Sequence, residues 1–354
     1  MSSNKSSPPT IYDVAALSGL SIATISRVIN TPERVSEASR RKVMEAIDQL
    51  GFVPKAEARA RVLQNTRRIG VITPFFTSPS FTDRLRGVAT ALSNSPYELV
   101  IYTVDSARRL DSYLSTLPLR GNLDGLIIMS LPVSDEAAQR LLSAGLETVL
   151  IECANPHFNC IVVDDYGGGR LAAQHLISKG HRRCAYVYFG EHPDYSIHPE
   201  VERFRGFQDT LNTHGIPLPE SYIKYVPVSR IGIREKLREL FELPERPTAI
   251  FAPADELAIR VIHHAREFGL HVPDDLSVIG LDDIDIAEHI DLTTISQSLA
   301  ESGRMAVELL LSRLNNPERA NQQIVIQVHL KERGTTATVD GHSETEKTGS
   351  DSSR

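Results

Sequence analysis

Two spacings of apolar residues divide the chain. Up to about residue 50 they recur three and four apart in short runs; beyond Ile69 they gather into strand-length blocks separated by amphipathic stretches. In the first part, Val14, Ala15 and Leu17 mark the buried face of a helix that follows a polar tail, Gly19 permits a turn, and Ser21 is suited to cap a second helix from Ile22 to about Ile29. Ile25, Val28 and Ile29 face the first helix, which leaves Ile22, Ala23, Thr24, Ser26, Arg27 and Asn30 on the outside. Ser36 caps a third helix whose stripe is Val43, Ala46, Ile47 and Leu50, ended by Gly51. The expectation is a small all-α helix-turn-helix unit, whose outward face suits a DNA groove.

From Ile69 on, short apolar runs alternate with helical patterns: 69–73, 98–102, 125–129, 148–151, 184–188, 249–251 and 276–280. Strands alternating with helices imply βαβ units and parallel sheets. Two such series, meeting near residues 155–168, predict an α/β body of two Rossmann-like lobes with a cleft between them. The segment 301–313 carries an apolar face, open at this stage to two readings: a subunit interface or core.

Charge sharpens the division. Residues 1–68 hold eleven Lys and Arg against six Asp and Glu, so a head of +5 precedes a body of −12 in a chain of net charge −7. A cationic head on an anionic body offers phosphates one docking face. No apolar run of membrane-spanning length occurs, and the polar start lacks a secretory signal's apolar centre, so a cytoplasmic, nucleoid-associated protein with no membrane partner is expected. Cys153, Cys160 and Cys184 form no C-x-x-C pair and are expected as reduced thiols without metal. The chain has no G-x-S-x-G elbow and no H-E-x-x-H. Gly167-Gly-Gly-Arg170 lacks the order of a dinucleotide loop, and His263-His264 fits a half-exposed helix surface. No enzyme activity and no cofactor are expected.

Ile11-Tyr-Asp-Val-Ala15, Ser21-x-x-Thr-x-Ser-Arg-Val-Ile-Asn30, Val35-Ser36 and Leu50-Gly-Phe-Val-Pro54 closely resemble the headpiece of the lactose/galactose repressor family of bacterial transcription regulators. The likeness continues more loosely to Arg333-Gly-Thr-Thr336. It implies that Ile22 and Ala23 take the positions that read bases most directly, that Arg27 reads a major-groove base edge, and that Tyr12, Ser21, Thr24, Ser26 and Asn30 mainly hold phosphates. Ile22 and Ala23 offer only apolar contacts, so Arg27 is expected to supply the strongest base discrimination.

The resemblance also makes residues 55–67 a hinge that orders on DNA, with Arg59 and Arg61 as DNA contacts. The family wedges a leucine into the minor groove here; counted without gaps from Pro54, that position holds Arg61, so weaker bending is expected. The implied organisation is a tail over 1–9, a DNA-binding domain over 10–54, the hinge, a two-lobed effector and dimerisation domain over 68–337, and a disordered tail over 338–354.

Ligands in open α/β sheets bind beyond the carboxyl ends of strands, which selects Glu152, Asp255 and Asp282-Asp283. The family's body resembles periplasmic sugar-binding proteins, and Arg203 and Asp282 align with its usual effector contacts, with Ser80 and Phe81 reaching in from the first lobe. Ala254 stands where the family commonly places a contacting asparagine. The implied partners are a sugar-like small-molecule effector, a pseudo-palindromic double-stranded DNA operator and a second copy of the chain. The C-terminal tail lacks leucine heptads, which favours a homodimer over a tetramer.

Overall fold

The computed structural model describes residues 9–52, 66–190, 193–227 and 230–339. Three helices open it: α1 (Ile11–Ser18), α2 (Ile22–Asn30) and α3 (Glu37–Leu50). Each start is fixed by a side chain. Thr10 N donates to Asp13 Oδ2 at 2.6 Å, Thr24 N to Ser21 Oγ at 3.2 Å, and Ser39 N to Ser36 Oγ at 3.3 Å. Gly19, at φ +68°, turns the chain so that α1 and α2 cross at 105°. Val14, Ile25, Val28, Val43, Ile47 and Phe52 fill the small core. Leu17, expected inside, is 49% exposed, and Phe52 contributes the bulk instead.

The first lobe is a six-stranded parallel sheet of order β11-β5-β4-β3-β1-β2. Its strands are β1 (Arg68–Pro74), β2 (Glu98–Val104), β3 (Gly125–Met129), β4 (Glu147–Ile151), β5 (Asn159–Val163) and β11 (Gln323–Ile326). Helices α4 (Pro79–Leu92) and α12 (Leu299–Asn315) cover one face, and α5 (Ala107–Arg120) and α6 (Asp135–Ser143) cover the other. Successive strand residues alternate between them: Ile127 and Met129 pack toward α4 and α12, Leu126 and Ile128 toward α5 and α6.

The second lobe repeats the plan, with sheet order β12-β10-β9-β8-β6-β7. It comprises β6 (Cys184–Phe189), β7 (Ile223–Val226), β8 (Ala249–Phe251), β9 (Ser277–Asp282), β10 (Thr294–Ser296) and β12 (His329–Lys331). The helices are α7 (Asp165–Ser178), α8 (Pro199–Thr213), α9 (Arg230–Phe241), α10 (Asp255–Glu267) and the short α11 (Asp285–His289). Among the described residues only the β10–β12 pairing is antiparallel.

The lobes do not follow one another cleanly along the chain, as two consecutive series would. The chain passes to the second lobe between β5 and α7, returns at Gln297-Ser298 to build α12 and β11, and crosses again to β12. Residues 301–313 therefore lie in a helix that packs on α4, β3, β4 and β5, and their apolar face is core.

Helices meet closely in both lobes because glycines face backbone. A Cβ on Gly87 would stand 1.8 Å from Ala300 O and one on Gly303 2.1 Å from Arg84 O, at the α4–α12 crossing. At the α7–α8 crossing, a Cβ on Gly169 would meet Arg203 O at 1.8 Å and one on Gly206 would meet Tyr166 O at 2.0 Å. The glycine run at the start of α7 thus serves packing. Among the described residues no single helix is long and apolar enough to cross a membrane.

Candidate functional site

Two surfaces gather the residues singled out from the sequence. On the head, α2 buries Ile25, Val28 and Ile29 and turns Ile22, Ala23, Ser26 and Arg27 outward, with Thr24 half-buried. Ser21 is exposed at the helix start, where its hydroxyl also lies 2.9 Å from Thr24 Oγ1, and Tyr12 on α1 is 70% exposed. The outward residues of α2 form a solvent-facing side of a helix whose N-terminus is capped, the geometry needed to enter a groove. The Asn30 side chain, and Arg59 and Arg61 of the expected hinge, lie outside the described residues.

Between the lobes is a cavity of about 300 Å³. Strand ends build it: Ser130 follows β3, Glu152 follows β4, and Asp282 ends β9, all with positive φ. Such backbone is costly for residues other than glycine and is kept where surrounding structure holds a site. Phe75, Ser80, Phe81 and Arg84 enter from the first lobe, while Tyr188, Phe189, Ile197, Arg203 and Ile284 enter from the second. Gln297, at the middle crossing of the chain, lines the cavity between them.

A hydrogen-bonded chain of polar and charged groups, with an arginine–aspartate pair beside it, forms the floor. Arg84 Nη2 donates to Glu152 Oε1 and, at 2.8 Å, to Gln297 Oε1. Gln297 Nε2 donates to Asp282 Oδ1, and Ser130 Oγ to Glu152 Oε2. Arg203 Nε donates to Asp165 Oδ1 at 2.8 Å and its Nη1 to Pro253 O at 2.7 Å. Arg84 is 2% exposed and its Nε has no acceptor among the described residues. Asp282 Oδ2 and Arg203 Nη2 likewise take no partner there.

Burial and pairing split the carboxyls. Burial pushes Glu152 up, but the Arg84 charge, the Ser130 hydroxyl and Arg203 outweigh it, so its carboxyl titrates below the ordinary range and stays ionised. For Asp165 burial prevails over Arg203, and its carboxyl is raised. Asp282 is raised further, to about 7, by burial and by the charge of Asp255, against the pull of Arg203 and Arg84. Burial opposes the Arg203 charge, yet Asp165, Asp282 and Glu152 more than offset it and hold the guanidinium protonated.

Of the six residues expected at the effector site, Ser80, Phe81, Glu152, Arg203 and Asp282 share this cavity and Asp255 does not. Asp255 is fully buried behind it, where its Oδ1 accepts from Thr294 Oγ1 at 2.5 Å and its Oδ2 from Ile284 N at 3.0 Å. It pins the turn after β9 to β10, so both oxygens are spent on the fold. Glu152 reaches the cavity, but Arg84 and Ser130 hold its two oxygens, which makes it the anchor of Arg84. Arg84, Ser130, Asp165, Tyr188 and Gln297 escaped the sequence reading. Arg84 had a signal, because it stands three and four residues after Phe81 and Ser80 on the same helix face. His263 is exposed as expected, whereas His264 is buried; both lie against Glu267, and Arg234 Nε sits 3.3 Å from the same carboxylate, a charge that opposes a divalent ion there.

Comparison with known proteins decides the family. Residues 10–55 match the model for bacterial regulatory proteins of the lacI family, and residues 173–336 match a periplasmic binding protein-like domain. Catabolite control protein A of Priestia megaterium is 32% identical over 325 residues, covering 90% of this chain and 96% of its own. The chain belongs to the lacI family. This lacI-family protein is a DNA-binding transcription regulator whose hold on DNA is governed by a small molecule. The ribose operon repressor of Escherichia coli K12 is 32% identical over 334 residues, covering 92% of this chain and 99% of its own. Among solved structures, a lacI family regulator from Enterococcus faecium with bound ribose superposes with a TM-score of 0.67 at 32% identity, covering 77% of this chain and 99% of that one.

Proposed function

We propose that this regulator is a homodimeric transcriptional repressor, working on the bacterial nucleoid in the cytoplasm, and that its effector is a neutral sugar or closely related polyol. The cavity floor carries this reading: a carboxylate oxygen on Asp282 and an N–H edge of Arg203, both without a partner among the described residues, line one space. Adjacent hydroxyls both donate and accept, so a polyol satisfies both groups at once. Phe75, Phe81, Tyr188 and Phe189 supply apolar cover for the ring's C–H faces. With Arg84 and Arg203 already paired to Glu152 and Asp165, the floor has little charge left to attract an ionised ligand. Ser80 and Phe81 close from the first lobe.

On the head, Arg27 reads a base edge, Ile22 and Ala23 make apolar base contacts, and Tyr12, Ser21, Thr24, Ser26 and Asn30 hold phosphates. Arg59 and Arg61 add minor-groove or phosphate contacts from the hinge. Two heads on a two-fold axis match a pseudo-palindromic operator. Ligand-driven closure of the lobes shifts the dimer between DNA-binding and released states.

A thermal-shift panel of pentoses, hexoses, disaccharides and nucleosides on the full chain tests the effector. A sugar at 100 times its Kd stabilises by about 2.7 kcal/mol, and Asp282→Asn and Arg203→Ala abolish the shift. The same sugar alters retardation of genomic fragments, and Arg27→Ala loses preference among them. Stabilisation by nucleosides alone sinks the sugar reading; failure to retard any fragment at low salt sinks the regulator reading.

A further inference from the structure

The DNA-binding head rests on the first lobe through contacts that the functional reading does not use. Arg140 of α6 grips Asp48 of α3 with two bonds, Nε to Oδ1 at 3.0 Å and Nη2 to Oδ2 at 2.5 Å. Arg40 of α3 pairs with Asp111 of α5 at 2.9 Å. Arg120, the last residue of α5, donates its Nε to Ile29 O at 3.0 Å, in the final turn of α2 where carbonyls lack helical partners. Leu119 packs against the head's own apolar core. Side chains of Arg40 and Arg140 are 14% and 23% exposed while their partners Asp111 and Asp48 are 59% and 41% exposed, so the guanidiniums are shielded and the carboxylates stay open to water and to screening by salt.

Docking leaves Ile22, Ala23, Ser26 and Arg27 exposed, so the head is held in a state able to meet DNA. The holding helix also begins near the cleft. Ser130, bonded to Glu152, also accepts a bond through its carbonyl from Ile197 N of the second lobe at 3.4 Å, and five residues later α6 starts at Asp135.

We propose that the α5–α6 surface of the first lobe is a docking site for the head, locked by Asp48–Arg140, and that it fixes the direction of α2 independently of the hinge. Closure of the second lobe onto Ser130 then reaches the head through α6. A bidentate arginine–carboxylate pair suits this task, because it defines orientation as well as proximity.

The test needs neither effector nor operator. A fluorophore is placed on Ala16→Cys, at an exposed position of α1, in a Cys153→Ser background whose remaining thiols, Cys160 and Cys184, are buried. Time-resolved anisotropy of the full chain then reports whether the head tumbles with the body. The native pair gives one slow decay. Asp48→Arg makes a fast component dominant, and the exchanged pair, Asp48→Arg with Arg140→Asp, restores the slow decay, which a merely misfolded head does not. Raising ionic strength from about 0.1 M to about 1 M, where the Debye length falls from about 10 Å to about 3 Å, brings out the fast component in the native pair. A fast decay in the native pair at low salt, an unchanged decay in Asp48→Arg, or no rescue by exchange overturns the proposal.

Discussion

Asp282 sits where a charge is least welcome. Its carboxyl is raised from 3.8 to about 7, with burial as the first cause and Asp255 as the second. Between those values the folded chain keeps a proton that the unfolded chain has lost. The stability this group contributes is therefore complete below the unfolded pKa and is lost as pH rises through about 7. Asp282→Asn removes the titration while an amide oxygen remains to accept from Gln297. The variant's melting temperature is expected to exceed the native one at pH 8, with the difference shrinking toward pH 5; an equal difference at both values refutes it. His181 shows the opposite sign. Burial between Thr248 and Ser277 lowers it to about 4, so its contribution fades as pH falls from 6.5 toward that value, equally in both proteins. Asp282 was legible from the strand-end rule, and so, wrongly, was Asp255. The rule finds the ends of strands, but which way a carboxylate turns depends on Thr294, 39 residues away along the chain.

Among the elements, the strongly apolar strands β1, β3, β4, β6, β8 and β9 were readable because each is buried on both faces and reads as a continuous run. Strands β7, β11 and β12 were not: they lie at sheet edges, are short, and are half-exposed, so their patterns resemble loops. The glycines of α7 were legible as a helix start, but their purpose appears only against α8. Gly169→Ala drives a methyl group into the backbone of Arg203, a residue of the effector floor, and is expected to cost about 1–3 kcal/mol. Gly168→Ala meets only the flexible end of Leu281, at 3.0 Å, and costs less. Urea unfolding of the two variants measures the gap, and equal midpoints contradict the packing role.

At the scale of the whole molecule, the return of the chain to the first lobe was invisible in the sequence, because α12 and β11 complete a sheet begun some 230 residues earlier by β1. An arginine on the cleft's rim bridges the two lobes. Arg86 on α4 bonds Asp83 of its own lobe at 3.1 Å and Asp285 of the other at 2.6 Å. Half-exposed, this pairing adds little to folding, well under about 1 kcal/mol. Its consequence is positional: without the guanidinium, two carboxylates confront each other across the rim, and Asp83 is already raised by burial and then by Asp285. Arg86→Ala is therefore expected to shift the lobes toward an open state, seen as a larger radius of gyration in X-ray scattering at low salt, while the melting temperature hardly moves. Adding Asp285→Ala removes the repulsion and returns the native dimension, as does high salt by screening. If the radius stays constant across all three proteins at low salt, the rim pair has no hold on closure, and the ligand alone must draw the lobes together.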